Sequence, residues 1–255
     1  MVSQELLSQI FEALSGEKWG VPDTAISAQF VRAFEKAHAF MATYRVGDDG
    51  VAPAQSSGAV GVAVVLRKGR ALMAHAGDCR AILGTLDESG AGIVVDLTDD
   101  HKLETASERE RIEATGAWIK PAEEEPYFSP ARVYADQNNP KAGPGLTMSR
   151  SLGDIDADAI GVIATPEVNF REIDLERDRF IVLASDGLWE FLSSAHVAEI
   201  VHGFLERGEP AINATRFLIA KAALAWRTEE GDYRDDITCI VVYLTDLPAN
   251  LVAAQ

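Results

Sequence analysis

Cysteine is scarce in this chain of 255 residues, in which Cys79 and Cys239 are the only two. Both lie inside apolar stretches, so we interpret them as small core residues. Two isolated thiols do not make a disulfide framework, and this favours a reducing compartment. We therefore expect an intracellular protein, cytoplasmic or nuclear.

Long apolar runs are also absent from the sequence. A helix that spans a bilayer needs about 20 consecutive apolar residues, and no stretch approaches that length. The N-terminal segment "MVSQELLSQIFEAL" carries acid and lacks the basic start of a secretory signal. The sequence therefore predicts no membrane partner.

Positively charged residues are few: the sequence has 23 lysines and arginines against 40 aspartates and glutamates, which gives a formal net charge of -17. Such a balance repels phosphate backbones and anionic membrane surfaces, so we predict no nucleic-acid partner. The excess carboxylates either form a solvated surface or gather to hold hard cations. The spacing of particular aspartates decides between these alternatives.

The overall composition is that of a globular domain, with 47% hydrophobic and 25% charged residues. A chain of this length and composition can bury one sizeable core, and no internal repeat divides it. We predict a single domain over residues 1–255 and expect a monomer.

Apolar residues at helical spacing predict two amphipathic helices near the N-terminus. The first would bury Leu6, Leu7, Ile10, Phe11 and Leu14, and the second Ile26, Phe30, Phe34, Ala37, Met41 and Tyr44. Further helices are predicted at 105–116, about 195–206 and about 210–226.

Short aliphatic segments separated by turns predict antiparallel strands. They cover 60–66, 71–75, 80–83, 93–97, 180–184 and 237–244. Residues 117–146 are rich in proline and are predicted to be irregular, either as a functional lid or as a poorly ordered loop. Strands interleaved with helices indicate an α+β or layered α/β fold.

Carboxylates stand at the ends of several predicted strands. Asp186 follows the strand 180–184 and precedes Gly187, which allows a backbone, a water or a ligand to come close. Asp235 and Asp236 precede the last strand, and Asp100 follows another. Oxygen ligands suit magnesium or manganese, and two such cations can clamp phosphate oxygens and activate water. The alternative is that Asp-Gly is only a turn.

Five blocks occur in order along the chain: "HAGDCRAIL", "LTDDHKLE", "TMSRSLGD", "ASDGLWEFLS" and "RDDITCIVV". Together they resemble the signature blocks of the protein phosphatase 2C family, the metal-dependent Ser/Thr phosphatases of PPM type. The resemblance covers roughly residues 56–244.

This resemblance implies an α+β fold, a layered sandwich of two antiparallel β-sheets flanked by helices. It implies a binuclear Mn²⁺ or Mg²⁺ centre at one end of the sandwich, with Asp186 and Asp235 as metal ligands and Asp100 as the ligand of a third, weaker site. The implied reaction is hydrolysis of phosphoserine and phosphothreonine in signalling phosphoproteins by metal-activated water, without a nucleophilic side chain of the protein.

The sequence departs from the family pattern in three places. Glu190 stands where a second aspartate is usual after the tryptophan, and Asp236 replaces an asparagine. Nothing before Ser56 resembles the family's phosphate-binding arginine, acidic pair or Asp-Gly-His block, so we expect an N-terminally incomplete domain that lacks this metal-binding segment. Two alternatives follow: a catalytically impaired pseudophosphatase that acts as a protein-binding module, and a metal-dependent hydrolase of small phosphate esters.

Overall fold

The computed structural model describes residues 8–10, 22–46, 50–123, 129–140, 143–248 and 251. They belong to two compact units, each assembled from separate parts of the chain. Unit 1 comprises Met1–Gly61, Ala76–Asp78 and Asp100–Val168, and unit 2 comprises Val62–His75, Cys79–Asp99 and Asn169–Gln255. The prediction of a single domain stays a prediction.

The helices of the described chain are α1 Asp23–Thr43, α2 Ala106–Glu113, α3 Asp186–Trp189, α4 Ser194–Glu206 and α5 Ala211–Glu229. The strands are β1 Gly58–Ala59, β2 Gly61–Arg67, β3 Arg70–Ala76, β4 Arg80–Leu86, β5 Gly92–Asp96, β6 Trp118–Lys120, β7 Arg132–Tyr134, β8 Pro144–Leu146, β9 Leu152–Gly153, β10 Glu167–Glu172, β11 Phe180–Ala184 and β12 Cys239–Tyr243. Short 3₁₀ helices cover Pro53–Gln55, Ile155–Ile160 and Leu244–Asp246.

Unit 2 contains a four-stranded antiparallel sheet in the order β12-β11-β4-β5 and a three-stranded sheet in the order β10-β3-β2. Because side chains alternate between the faces of a strand, β11 contributes to two cores. Ile181 packs with Met73 of β3 in the core between the two sheets. Phe180 and Val182 face the other way and pack with residues of α4 and α5. This arrangement confirms the predicted sandwich of antiparallel sheets flanked by helices.

Unit 1 contains the three-stranded sheet β6-β7-β8, the two-stranded sheet β1-β9 and helices α1 and α2. Its core includes Ile112 of α2, Ile119 of β6, Val133 of β7 and Ile160 of a 3₁₀ helix. These two small sheets add to the two sheets that the sequence predicted.

Helix α1 confirms the second predicted N-terminal helix. It buries the predicted apolar positions Ile26, Phe30, Phe34, Ala37 and Met41, whereas Tyr44 follows its last turn. Of the first predicted helix, residues 8–10 are helical and Ile10 is buried. Leu6, Leu7, Phe11 and Leu14 lie outside the described residues.

The prediction that residues 117–146 are irregular was wrong, because this stretch contains β6, β7 and β8. Each strand has three residues, which is too short for alternation of polar and apolar side chains to be recognised. Strand β10 was also missed, although its sequence "EVNFRE" alternates between apolar and polar residues as a half-buried strand does. No helix in the described part of the chain is long and apolar enough to cross a membrane.

Candidate metal site

The predicted ligands Asp186 and Asp235 leave the same end of the four-stranded sheet. Strands β11 and β12 are antiparallel, and Ala184, the last residue of β11, pairs with Cys239, the first of β12. Asp186 follows shortly after this pair and Asp235 shortly precedes it, and both side chains are half-buried. An antiparallel pair therefore places two acidic residues that are far apart in sequence at the same end of the sheet.

Ser185 ties these two chain segments together. Its backbone N–H donates to the Thr238 carbonyl at 3.1 Å, and its hydroxyl donates to the Asp236 carbonyl at 3.0 Å. The Thr238 N–H donates in turn to Ser185 Oγ at 3.1 Å. Three hydrogen bonds thus fix the backbone that precedes Asp186 against the backbone that follows Asp235.

Gly187 allows the two segments to approach each other. A Cβ at this position would lie 2.3 Å from the Asp236 carbonyl oxygen, closer than any side chain tolerates. The glycine after Asp186 is therefore required by a close backbone approach, as the sequence suggested.

Two buried tryptophans donate hydrogen bonds to the backbone on either side of Asp186. Trp189 Nε1 donates to the Ala184 carbonyl at 2.9 Å, and Trp226 Nε1 of α5 donates to the Gly187 carbonyl at 2.7 Å. Trp226 also packs edge-on against Phe191 and Tyr233. Trp226 was not among the functional residues predicted from the sequence, although a buried indole N–H needs an acceptor and points to such a contact.

Replacing Trp226 by phenylalanine is expected to lower the free energy of unfolding by about 1–2 kcal/mol, because the buried Gly187 carbonyl loses its donor while an aromatic ring remains. Urea denaturation measures the change. The matched control is Tyr233→Phe, which removes a polar atom from an exposed ring of the same cluster and should stay within about 0.5 kcal/mol of the parent. Equal effects of the two substitutions would contradict this role for Trp226.

Other acidic side chains stand near the two candidate ligands in sequence. Asp235 Oδ1 accepts the Asp236 N–H at 2.7 Å, and the Asp236 side chain is exposed. Glu190 is exposed and lies four residues after Asp186, with its N–H donating to the Asp186 carbonyl at 2.8 Å. Helical neighbours at this spacing share a face, so Glu190 is a further candidate.

Asp100 belongs to unit 1, in a turn after β5 that is anchored to the turn at Gly77. The buried His101 donates its backbone N–H to the Gly77 carbonyl at 3.1 Å, and its Nδ1 accepts the Gly77 N–H at 3.2 Å. Lys102 forms an ion pair with the buried Asp78. These contacts give His101 a structural role in this turn.

Two charged neighbours in the block "HAGDCRAIL", and two in "TMSRSLGD", contact different partners. Asp78 pairs with Lys102, while Arg80 donates to Ser194 Oγ at 3.0 Å. Arg150 likewise pairs with the buried Glu108 on α2, and Asp154 accepts from Ser151.

The donor chemistry at the β11–β12 end suits a hard divalent cation. Two half-buried carboxylates match the way Mg²⁺ is commonly held, through one or two carboxylates and several waters. Over the residues that the structure describes, no three or more His, Cys, Asp or Glu side chains form a group able to hold a metal ion. Asp186 and Asp235 therefore fit one hydrated cation and do not alone supply a binuclear cage.

The family model for protein phosphatase 2C matches residues 5–230. The chain belongs to the protein phosphatase 2C family. The match begins upstream of Ser56, where sequence analysis placed the start of the resemblance, and so includes α1. The absence of the family's N-terminal metal-binding segment stays a prediction.

Curated relatives and solved structures agree with this assignment. The chain is 34% identical over 223 residues to "Probable protein phosphatase 2C 14" of Oryza sativa subsp. japonica, covering 88% of this chain and 40% of that protein. It is 34% identical over 191 residues to "Probable protein phosphatase 2C 18" of Arabidopsis thaliana, covering 74% and 36%. The chain thus spans about two-fifths of the length of these relatives.

The fold resembles the crystal structure of serine-threonine phosphatase 2C from Toxoplasma gondii, with a TM-score of 0.75 and 21% identity over 95% of this chain and 79% of that one. It also resembles a C. elegans sex determining protein, with a TM-score of 0.69 and 19% identity over 95% and 52%. These likenesses confirm the predicted fold class.

Proposed function

We propose that Asp186 and Asp235 hold a divalent cation, Mn²⁺ or Mg²⁺, and that the protein containing this chain hydrolyses phosphoserine and phosphothreonine in phosphoproteins. The observation that carries the proposal is the shared end of β11 and β12, where both half-buried carboxylates emerge in a member of the protein phosphatase 2C family. Asp100 is proposed, from its place in the family-like block "LTDDHKLE", as the ligand of a weaker cation site.

In such a reaction this chain would hold the cation and fix the position of its positive charge at the end of the sheet. A bound divalent cation supplies a Lewis acid for phosphoryl oxygens and lowers the pKa of a bound water. Asp186 and Asp235 supply the anionic oxygens that retain the cation. Ser185 and Gly187 keep the two supporting backbones at a fixed separation, so the carboxylates need not reorganise.

A bound cation would also offset the repulsion between this acidic chain and an anionic substrate. The chain carries a formal charge of -17, and a phosphate monoester is itself an anion. Without a local positive charge, the field of the protein opposes approach of the substrate. The proposed cation site supplies that charge at the end of the sheet.

Cys239 does not serve as a nucleophile. It begins β12 at the candidate site, and burial raises the pKa of its thiol to about 12. A thiol with that pKa stays protonated at neutral pH, whereas nucleophilic cysteines act as thiolates. This observation argues against Cys239 as the nucleophile of a cysteine-based phosphatase mechanism.

Replacing Asp186 by asparagine is expected to weaken Mn²⁺ binding at least about 10-fold and to lower the rate of phosphothreonine-peptide hydrolysis by a similar or larger factor, because one anionic ligand is lost. Calorimetric titration with Mn²⁺ and a phosphate-release assay measure the two effects. The matched control is Asp232→Asn, an exposed aspartate before the same strand, which should change neither.

Equal Mn²⁺ affinity in the parent and the Asp186 variant would contradict the cation assignment. A folded parent chain that binds no Mn²⁺ and releases no phosphate would favour the protein-binding module. Faster hydrolysis of a nucleotide than of the phosphopeptide would favour a hydrolase of small phosphate esters.

A further inference from the structure

We propose that the outer face of α5 is a docking surface for an acidic amphipathic helix of a partner protein. We define this outer face as an apolar stripe with bordering cations: Arg216, Phe217, Ala220, Lys221, Leu224 and Arg227. The proposal is independent of the cation site and of the proposed phosphatase activity.

The apolar part of the outer face is unusual for a helix whose other side is already in the core. The buried side of α5 carries Ala214, Leu218, Ala222 and Trp226. On the outer face, Leu224 is 65% exposed, and Phe217 is 47% exposed although one side of its ring contacts Phe204 of α4, with the ring centroids 5.5 Å apart. Their spacing of seven residues, with the exposed Ala220 between them, places all three on one line along the helix. Helix α5 therefore has a second apolar stripe that faces water.

Cations border this stripe on both sides. At about 100° per residue, Arg216 and Arg227 lie on one side of the line through Phe217 and Leu224, and Lys221 lies on the other. None of these three cations forms an ion pair or a side-chain hydrogen bond with another residue that the structure describes.

The local charge is opposite to that of the whole chain. Helix α5 contains three cations and one acidic residue, Glu229 at its C-terminal end, although acidic residues outnumber basic ones 40 to 23 in the full chain. Such a patch on an acidic protein selects an acidic partner segment, because the rest of the surface repels one.

The dimensions of the stripe indicate a helical partner. Phe217 and Leu224 are separated by about two helical turns, or roughly 10 Å. An amphipathic helix with apolar side chains at positions i, i+3 or i+4 and i+7 presents a matching line, and helices in grooves are commonly recognised through such anchors. Glutamates beside those anchors would meet Arg216, Lys221 and Arg227.

Two other occupants fit less well. A second copy of this chain, related by a two-fold axis, would place the same cations against one another, since such interfaces use one patch twice. An anionic membrane is an extended surface, so it would meet the acidic remainder of the protein as well as the cations of α5, whereas a single helix would meet the outer face alone.

The test uses a labelled synthetic peptide of about 15 residues, with leucines at helical spacing and glutamates at the other positions, long enough to form a helix on contact. Fluorescence anisotropy with the full chain is expected to give a Kd of roughly 10–100 µM, as for a small and weak interface. Raising the salt from about 0.02 to about 0.2 M should weaken binding, because exposed charges are screened.

Two variants locate the binding surface. Leu224→Ser and the double variant Arg216→Glu/Arg227→Glu are each expected to raise the Kd at least about five-fold. Their urea midpoints should match that of the parent, since the replaced side chains are exposed. The matched control is Ile212→Ser, an exposed apolar residue of the same helix that lies off the stripe, which should leave the Kd unchanged.

Several outcomes would overturn the proposal. They are the absence of peptide binding, equal binding by the parent and both variants, and equally tight binding of a peptide whose glutamates are replaced by lysines. Self-association that Leu224→Ser abolishes would assign the face to a second copy. Binding to phosphatidylserine vesicles, without peptide binding, would assign it to a membrane surface.

Discussion

Replacing Glu108 by glutamine is expected to lower the free energy of unfolding by about 3 kcal/mol near pH 7, because it leaves two arginines without their shared buried counter-charge. Glu108 is 2% exposed on α2. Arg111 donates to its two carboxylate oxygens at 2.8 and 2.7 Å, and Arg150 donates to Oε1 at 2.6 Å. The Ser149 hydroxyl also donates to it. An amide would turn its NH₂ group toward one of these donors.

Urea denaturation at constant pH measures this effect. The matched control is Glu110→Gln, an exposed glutamate on the same helix, which should change the free energy of unfolding by less than about 0.5 kcal/mol. A Glu108 variant as stable as this control would contradict the central role of the network.

The effect of Glu108 should also depend on pH. Burial alone would raise the pKa of this carboxyl, but hydrogen bonds from Arg111, Arg150 and Ser149 outweigh burial and hold the pKa far below its ordinary value of 4.5. A lowered folded-state pKa stabilises the protein above the unfolded-state value, and this stabilisation is lost as the pH falls through the folded-state pKa. The stability gap between the parent and Glu108→Gln should therefore narrow below about pH 4.5. A gap independent of pH would show that the charge of Glu108 is unimportant.

The same network explains why the block "TMSRSLGD" contains its arginine. Besides Glu108, Arg150 donates to the Thr165 carbonyl at 2.9 Å, and Arg111 donates to the carbonyls of Ser149 and Gly161. Glu108 thus orients two guanidinium groups that satisfy three backbone carbonyls of unit 1. A substitution at Glu108 is expected to loosen this segment as well as to remove a charge.

Replacing Gly187 by alanine is the second change with a large expected effect. The added Cβ would lie 2.3 Å from the Asp236 carbonyl oxygen and 2.9 Å from its carbon, both of them backbone atoms. The segments that carry Asp186 and Asp235 must then move apart. We expect Mn²⁺ affinity to fall at least about 10-fold and the free energy of unfolding to fall by about 1–3 kcal/mol.

Calorimetric titration and urea denaturation check the two parts of this prediction. The matched control is Gly203→Ala in α4, where the new Cβ would meet only the end of the Arg207 side chain at 3.3 Å. That change removes a glycine from a helix interior and should raise stability by up to about 1 kcal/mol without affecting Mn²⁺ binding. Unaltered Mn²⁺ affinity in the Gly187 variant would show that the backbone separation does not position the ligands.

Much of the fold was predictable wherever a local pattern was long enough. Helix α1 follows from five apolar positions at helical spacing, and β11 follows from an uninterrupted aliphatic run. Strands β6, β7 and β8 pair with one another inside one stretch of the chain, and they were missed because three residues contain too little alternation to indicate a strand.

Some residues of the candidate site could likewise be identified from a local sequence pattern, and others could not. Asp186, Asp235 and Asp100 were named from their positions beside strands and from family-like blocks. Ser185 and Trp226 were not, because a sequence does not show which backbone carbonyls their hydroxyl and indole N–H reach in the folded chain.

The sequence by itself determined the fold class, the family-like blocks and the aspartates that flank the strands, because these depend on residue type and short-range spacing. Only the tertiary structure decided that Asp186 and Asp235 leave the same end of one sheet, that Glu108 pairs with Arg150, and that one side of α5 remains exposed. Those facts depend on which distant segments pair and pack, and a local pattern contains no information about partners that lie far along the chain.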